Sequence, residues 1–255
     1  MHFLAVQAGT DRPFVRFAAM TAAVFGASGG IGAALAQALV ARGHETVWAG
    51  AREAPHAATG AVRPFSFDLT DEGSIRDAAV LMAAAPPDIV IIATGVLSLS
   101  DGTGPEKSLR QISAAAMAQV FQVNTIGPAL VARHMLPLLP RDRRAVFAAL
   151  SARVGSIGDN RLGGWHSYRA SKAALNMLLK NFAIELARSH PLAVVAGLHP
   201  GTVATGLSDP FQRNVPEAKL FTPEFSANVL LTVLDGLGPQ DSGGVFDWQG
   251  ARIEP

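Results

Sequence analysis

Ala22-Ala23-Val24-Phe25-Gly26-Ala27-Ser28-Gly29-Gly30-Ile31-Gly32 decides the fold. The apolar run Ala22–Ala27 reads as a strand, and helix-forming residues follow from Ile31 to Arg42. The glycines therefore fall on a strand-to-helix turn. Gly26 permits the tight turn, Gly30 lets backbone approach a pyrophosphate, and Gly32 lets the helix pack against the sheet. The new helix then offers unpaired N–H groups and the positive end of its dipole to phosphates. Ser28, Gly29 and Ile31 complete this loop. Its spacing, G-x-x-x-G-x-G, differs from G-x-G-x-x-G, so its place at the first strand of a βαβ series carries the reading.

Outward from this turn, strand-like and helical runs alternate. Strands are expected at Ala22–Ala27, Glu45–Ala49, Val62–Asp68, Ile89–Thr94, Ala145–Ser151, Ala193–His199 and Val245–Trp248. Helices are expected at Ile31–Arg42, Asp71–Ala85, Ser113–Leu139, Tyr168–Arg188 and Pro223–Leu237. Most strands are continuous apolar runs, the pattern of strands buried on both faces by crossover helices. The expected fold is α/β: a doubly wound, parallel, seven-stranded sheet in one domain, residues 20–255. Ligands on such sheets bind beyond the carboxyl ends of the strands.

The composition excludes several classes. The 255 residues are 49% apolar, enough for a large core, and the net charge of +1 comes without a basic run suited to nucleic acid. Cysteine is absent, which rules out disulfides and thiolate chemistry and fits a cytoplasmic location. No apolar run is long enough for a membrane span. Residues 1–19 contain Asp11, Arg12, Pro13 and Arg16, a poor signal-peptide core, and read as a weakly packed extension. No HExxH or comparable spacing occurs, so no metal is expected. Packing roles are expected for His134, His166 and His199, with His166 and Trp165 also placed to line a substrate entrance.

Two further stretches carry chemistry. The second strand leads into Gly50-Ala51-Arg52, where a site preferring NAD commonly has an acid for the ribose 2′-hydroxyl. Gly50 stands there instead. Arg52 can fork onto a 2′-phosphate, with Ser28 assisting, so NADP is favoured and NAD is the less expected cofactor. Glu53 is late for the missing acid. Tyr168, the only tyrosine, and Lys172 share one helical face, and a fixed cation beside the phenol is expected to lower its pKa for acid/base work.

The glycine loop, Asp68-Leu69, Asn124 within Asn124-Thr125-Ile126-Gly127-Pro128, Ser151, Tyr168 with Lys172, and Pro200-Gly201-Thr202-Val203-Ala204-Thr205 occur in one order. Together they resemble the short-chain dehydrogenase/reductase family, whose sheet is of the Rossmann type, over nearly the whole chain from Met20. The runs Ser151–Trp165 and Leu198–Thr205 and the tail Phe246-Asp247-Trp248 narrow the resemblance to the C-factor/sniffer-type carbonyl reductase branch. Two departures stand out. Ala93-Thr94-Gly95 replaces the family's Asn-Ala-Gly, which removes the asparagine that braces the sheet, and a glycine-rich loop lengthens the interval between Ser151 and Tyr168.

The resemblance implies an NADP-dependent oxidoreductase that passes hydride between the nicotinamide and the carbonyl or secondary alcohol of a small apolar molecule. Tyr168 is the implied proton donor and Ser151 orients the carbonyl oxygen. Lys172 tunes the phenol and grips the nicotinamide ribose, and Asn124 holds a water. Asp68 and Leu69 are implied at the adenine, Thr94 and Gly95 elsewhere along the cofactor, and Pro200, Gly201, Val203 and Thr205 at the carboxamide. Gly206–Phe221 is expected to be a lid. Apolar residues on more than one face of the two longest helices suggest a homodimer or homotetramer. The alternative is a nucleotide-binding signalling or sensing protein of the same fold with little turnover. A methyltransferase, the third reading, has no use for the Tyr168 and Lys172 pair.

Overall fold

Seven parallel strands form one sheet. In chain order the elements are β1 (Thr21–Phe25), α1 (Gly30–Ala41), β2 (Thr46–Ala51), β3 (Val62–Ser66), α2 (Glu72–Met82), β4 (Ile89–Ile92), α3 (Ala114–Phe121), α4 (Gly127–Met135), β5 (Ala145–Leu150), α5 (His166–Leu186), β6 (Ala193–His199), β7 (Thr202–Val203), β8 (Leu220–Phe221), α6 (Pro223–Gly236) and β9 (Gly244–Asp247). The structure, a computed structural model, describes residues 20–54, 58–214, 216 and 219–255. The extension at 1–19 lies outside the described residues.

The strands lie in the order β3-β2-β1-β4-β5-β6-β9, and the winding reverses between β1 and β4, which opens a crevice at their carboxyl ends, directly above the glycine turn. Every residue of β5 is buried, because the strand is central and covered on both faces. Its alternation divides two cores: Ala145, Phe147 and Ala149 face Ile75, Met82, Met135, Leu175 and Leu179 of α2, α4 and α5. Val146, Ala148 and Leu150 face Leu35, Leu39, Leu230 and Leu234 of α1 and α6. Burying each such side chain supplies about 1.5–3 kcal/mol. Helix starts are locally encoded: the Asp71 carboxylate accepts from Gly73 N–H, and the Thr222 hydroxyl from Phe225 N–H just after Pro223 begins the turn.

The helix expected at Ser113–Leu139 is interrupted. A wide π turn, Gln122–Ile126, separates α3 from α4. Thr125 Oγ1 donates to the Ser171 carbonyl at 2.9 Å, tying this turn to α5. Pro128 has no N–H to bring to the carbonyl four residues back, that of Asn124, so regular α-helical bonding cannot close there. Strands β3 and β4 stop two residues earlier than expected, as the chain turns into the crevice. The small β7–β8 pairing was not legible in sequence; it closes the base of the excursion after β6. Among the described residues, no helix is long and apolar enough to cross a membrane.

Candidate active site

The glycine loop leaves room that side chains would fill. A Cβ on Gly32 would meet the Gly26 carbonyl oxygen at 1.9 Å, so α1 can start this close to β1 only with glycine there. Gly26 and Gly30 have φ of 102° and 55°, and Gly29 has open space above it. The α1 N-terminus has no side-chain cap and no acid in its first turn, so its N–H groups are available for an anion. Ser28 is exposed on the loop and Ile31 half-buried behind it. Thr205 overhangs Gly30, with Cγ2 3.1 Å from where a Cβ would stand. Thr94 Oγ1 is buried beside Gly26 without a hydrogen-bond partner among the described residues. A cradle of free N–H groups with a buried unpaired hydroxyl beside it fits a dinucleotide.

Gly50 shows why no acid stands at the end of β2. A Cβ there would collide with the Phe65 ring at 2.4 Å, and its carbonyl accepts from Gly26 and Ala27 N–H at 2.9 and 2.7 Å. Arg52 is exposed and makes no hydrogen bond or ion pair among the described residues. The Asp68 carboxyl is held below its ordinary range, first by Thr70 N–H and hydroxyl and further by the Arg52 charge. Arg52 and Asp68 therefore lie near one another, just beyond the carboxyl ends of β2 and β3. Leu69 is buried against Gly127. Val203 is buried in β7, and the Pro200 carbonyl accepts from Ser226 Oγ at 3.2 Å. Gly201, at φ 77°, has the Phe221 ring against it, and Phe221 is backed by Trp248.

Tyr168, Lys172, Ser151 and Asn124 gather where β4 and β5 end against α5. Asn124 is fully buried; its Oδ1 accepts from Val96 N–H at 2.8 Å, and its Nδ2 donates to the Val96 carbonyl at 2.9 Å and to Ser171 Oγ at 3.1 Å. Ser171 in turn donates to the Tyr168 carbonyl. Asn124 thus braces the loop after β4, and Ala93 N–H still bonds Phe25 at 2.8 Å, which answers the missing family asparagine at Ala93. A Cβ on Gly95 would stand 3.5 Å from Asn124 Oδ1 and 3.6 Å from Lys172 Nζ, so Gly95 keeps the space between them open. Ser151 is buried and donates from Oγ to Asn176 Oδ1 at 2.6 Å.

The expectation that Lys172 lowers the tyrosine pKa does not hold in this structure. Nζ lies 5.9 Å from the Tyr168 ring centroid and donates to the Leu150 carbonyl at 2.7 Å. Burial instead raises the Tyr168 phenol to about 12 and lowers Lys172 to about 8. The phenol is a protonated acid at neutral pH. His199 is pushed down to about 4 by burial and by Arg153, and its Nδ1 has no partner among the described residues. His134 bonds Glu72, a packing role.

One anchor escaped sequence reading. Glu106, in the loop after β4, is buried, and its carboxylate accepts from Ser167 N–H at 3.1 Å and from the Ser167 hydroxyl. Its carbonyl takes Trp165 N–H, and Trp165 holds a left-handed φ of 50° just before α5. Burial pushes the Glu106 carboxyl up, but the Ser167 hydroxyl, the N–H bonds and His166 outweigh it, and the net is below the ordinary range. A carboxylate at this helix start also meets the positive end of the dipole. The partners are 61 residues apart, so no local signal marks them. Glu106→Gln is expected to cost about 1–3 kcal/mol at pH 7. Because the folded pKa is depressed, this stability is present above about pH 4.3 and lost as pH falls through the folded value. Urea melts of both proteins from pH 7 to 3 check it; a gap that stays constant contradicts it.

Above Tyr168, Leu97, Ala152, Val154, Trp165 and Phe211 form an apolar cluster. Trp165 lies 6.3 Å from the Tyr168 ring and 5.1 Å from that of Phe211, centroid to centroid.

A glycine cradle, a buried Tyr–Lys pair and an apolar wall at the carboxyl ends of the central strands define a dinucleotide-dependent oxidoreductase site. Residues 20–216 match the short chain dehydrogenase family. The chain belongs to that family. It is 35% identical to the C-signal protein of Myxococcus xanthus over 70% of this chain and 99% of that one. It is 33% identical to a 1-hydroxy-2-glutathionyl-2-methyl-3-butene dehydrogenase of a Rhodococcus species, over 88% and 94%. Its fold matches NADPH-bound carbonyl reductase from chicken fatty liver with a TM-score of 0.80 at 24% identity, over 95% and 97%. The likeness to C-signal agrees with the branch expected from sequence.

Proposed function

We propose that this protein is an NADPH-dependent reductase of apolar aldehydes or ketones, with Tyr168 as general acid. The observation that carries the reading is the protonated Tyr168 phenol between an apolar wall and a buried lysine beside Gly95. The glycine loop, Thr94, Gly95 and Thr205 would hold the cofactor's phosphates and nicotinamide half, Asp68 and Leu69 its adenine, and Arg52 its 2′-phosphate. When bound, the cofactor supplies hydride. Hydride addition to the carbonyl carbon leaves charge on oxygen, and Tyr168 transfers its proton there, giving the alcohol. Lys172, charged beside the resulting phenolate, stabilises it until solvent returns a proton, and Ser151 orients the carbonyl oxygen. Asn124 holds the loop that keeps this geometry; a water relay there would use its main-chain carbonyl, which lacks an N–H from Pro128. The Asp209–Asn214 turn, carrying Phe211, acts as part of a lid over the substrate. We place the enzyme in the cytoplasm as a homodimer or homotetramer, in keeping with the exposed Met177 and Ile184 on α5.

The test is oxidation of NADPH and of NADH against a panel of aromatic aldehydes, aromatic ketones and quinones. Turnover with NADPH supports the reading; NADPH binding without turnover on any class contradicts it. In Arg52→Ala, KM for NADPH is expected to rise about 10–100-fold, the loss of a charge-assisted bond, with KM for NADH little changed. Equal losses with both cofactors would remove Arg52 from the 2′-phosphate.

A further inference from the structure

Asn176 follows Lys172 by one helical turn and Tyr168 by two, so all three occupy one face of α5. That face meets the end of β5, where the Ser151 hydroxyl and the Asn176 amide stand 2.6 Å apart with Ser151 only 4% exposed. A serine hydroxyl has one proton. Given to the amide oxygen, that proton is withheld from a substrate carbonyl. The 2.6 Å separation is that of an O–H···O bond, the resting direction; an amide turned over as a carbonyl oxygen competes for the serine proton brings its NH2 toward Ser151, donates to Oγ and leaves that proton for the substrate.

We propose that Asn176 is a positioning residue that sets the direction of the Ser151 proton, its NH2 donating to Oγ so that Ser151 donates to the carbonyl oxygen during reduction. This rests on the reading of Ser151 given above. An aspartate at 176 is nearly isosteric but only accepts when ionised, and so captures the serine proton. A leucine neither donates nor accepts and leaves the hydroxyl to rotate.

The experiment is a double-mutant cycle on the full chain, following the panel carbonyl that the wild type turns over fastest. Asn176→Asp is expected to lower kcat about 10–100-fold, less than the ~10²–10³ lost on deleting an oxyanion donor outright, with KM for NADPH unchanged. In a Ser151→Ala background the same substitution should change kcat by less than about 2-fold. Asn176→Leu should cost less than Asn176→Asp, and it runs the same cycle if the aspartate variant does not fold. A loss that persists undiminished in the Ser151→Ala background, as an effect through Lys172 would, overturns the proposal for Asn176. An unimpaired Ser151→Ala enzyme overturns it by a different route, through the serine itself.

Discussion

Tyr168→Phe is expected to lower kcat for carbonyl reduction by about 10²–10⁴-fold while NADPH binds as before. The substitution removes one oxygen and keeps the ring, so packing against Trp165 and the apolar wall persists. Burial raises the phenol to about 12, so the group is fully protonated across the working range, and the lost function is donation. No second tyrosine can substitute, since Tyr168 is the only one in the chain. Desolvation also predicts the reverse reaction's weakness near neutrality: a phenol this weakly acidic is a poor source of phenolate until a positive charge comes beside it. Stopped-flow NADPH binding and steady-state turnover of the variant check the point. A reductase rate within a few-fold of wild type would remove the general acid from this reading.

The second large effect belongs to Lys172→Met. Catalysis should fall by about 10²–10⁴-fold, because the phenolate left after proton transfer loses its buried cation. Stability responds differently. Burial lowers Lys172 from the ordinary lysine value to about 8, so the folded state disfavours the charge that the unfolded chain accepts freely. Its stabilising contribution is full above about pH 10.4 and is lost as pH falls through 8. Over that window the wild type should gain up to about 3 kcal/mol relative to Lys172→Met. The Leu150 carbonyl, which accepts from Nζ at 2.7 Å, loses its donor in the variant; the charge-dependent part of that loss is contained in the folded-state pKa, and the rest is an offset that leaves the slope unchanged. Urea denaturation without NADPH at pH 7, 8, 9 and 10 measures the difference. Parallel pH curves for the two proteins would mean that Lys172 is not desolvated.

These two residues also show where linear reasoning met its limit. Spacing placed Tyr168 and Lys172 on one face of α5, and that held. It could not say whether the ammonium sits beside the hydroxyl or is drawn to the Leu150 carbonyl, because that depends on how β5 meets the helix. The tyrosine shift therefore came out in the opposite direction. Asn124 is the parallel case: its place in a long helix was readable, while the π turn that aims its amide at Val96 depends on contacts with the loop after β4.

From the chain alone came the parallel sheet, the glycine turn after its first strand and the shared helical face of Tyr168 and Lys172. Each is written in short-range pattern: continuous apolar strands, glycines at a strand-to-helix junction, two residues one helical turn apart. Folding in three dimensions decided the rest. Glu106 reached the start of α5, Asn176 met Ser151, Phe65 closed over Gly50, and Phe211 came to lie on Trp165. Those pairs are distant in sequence and carry no shared local pattern, so only the packing of one element on another brings them into contact, and the hydrogen bonds that Ser167 then makes hold Glu106 below the ordinary carboxylate range.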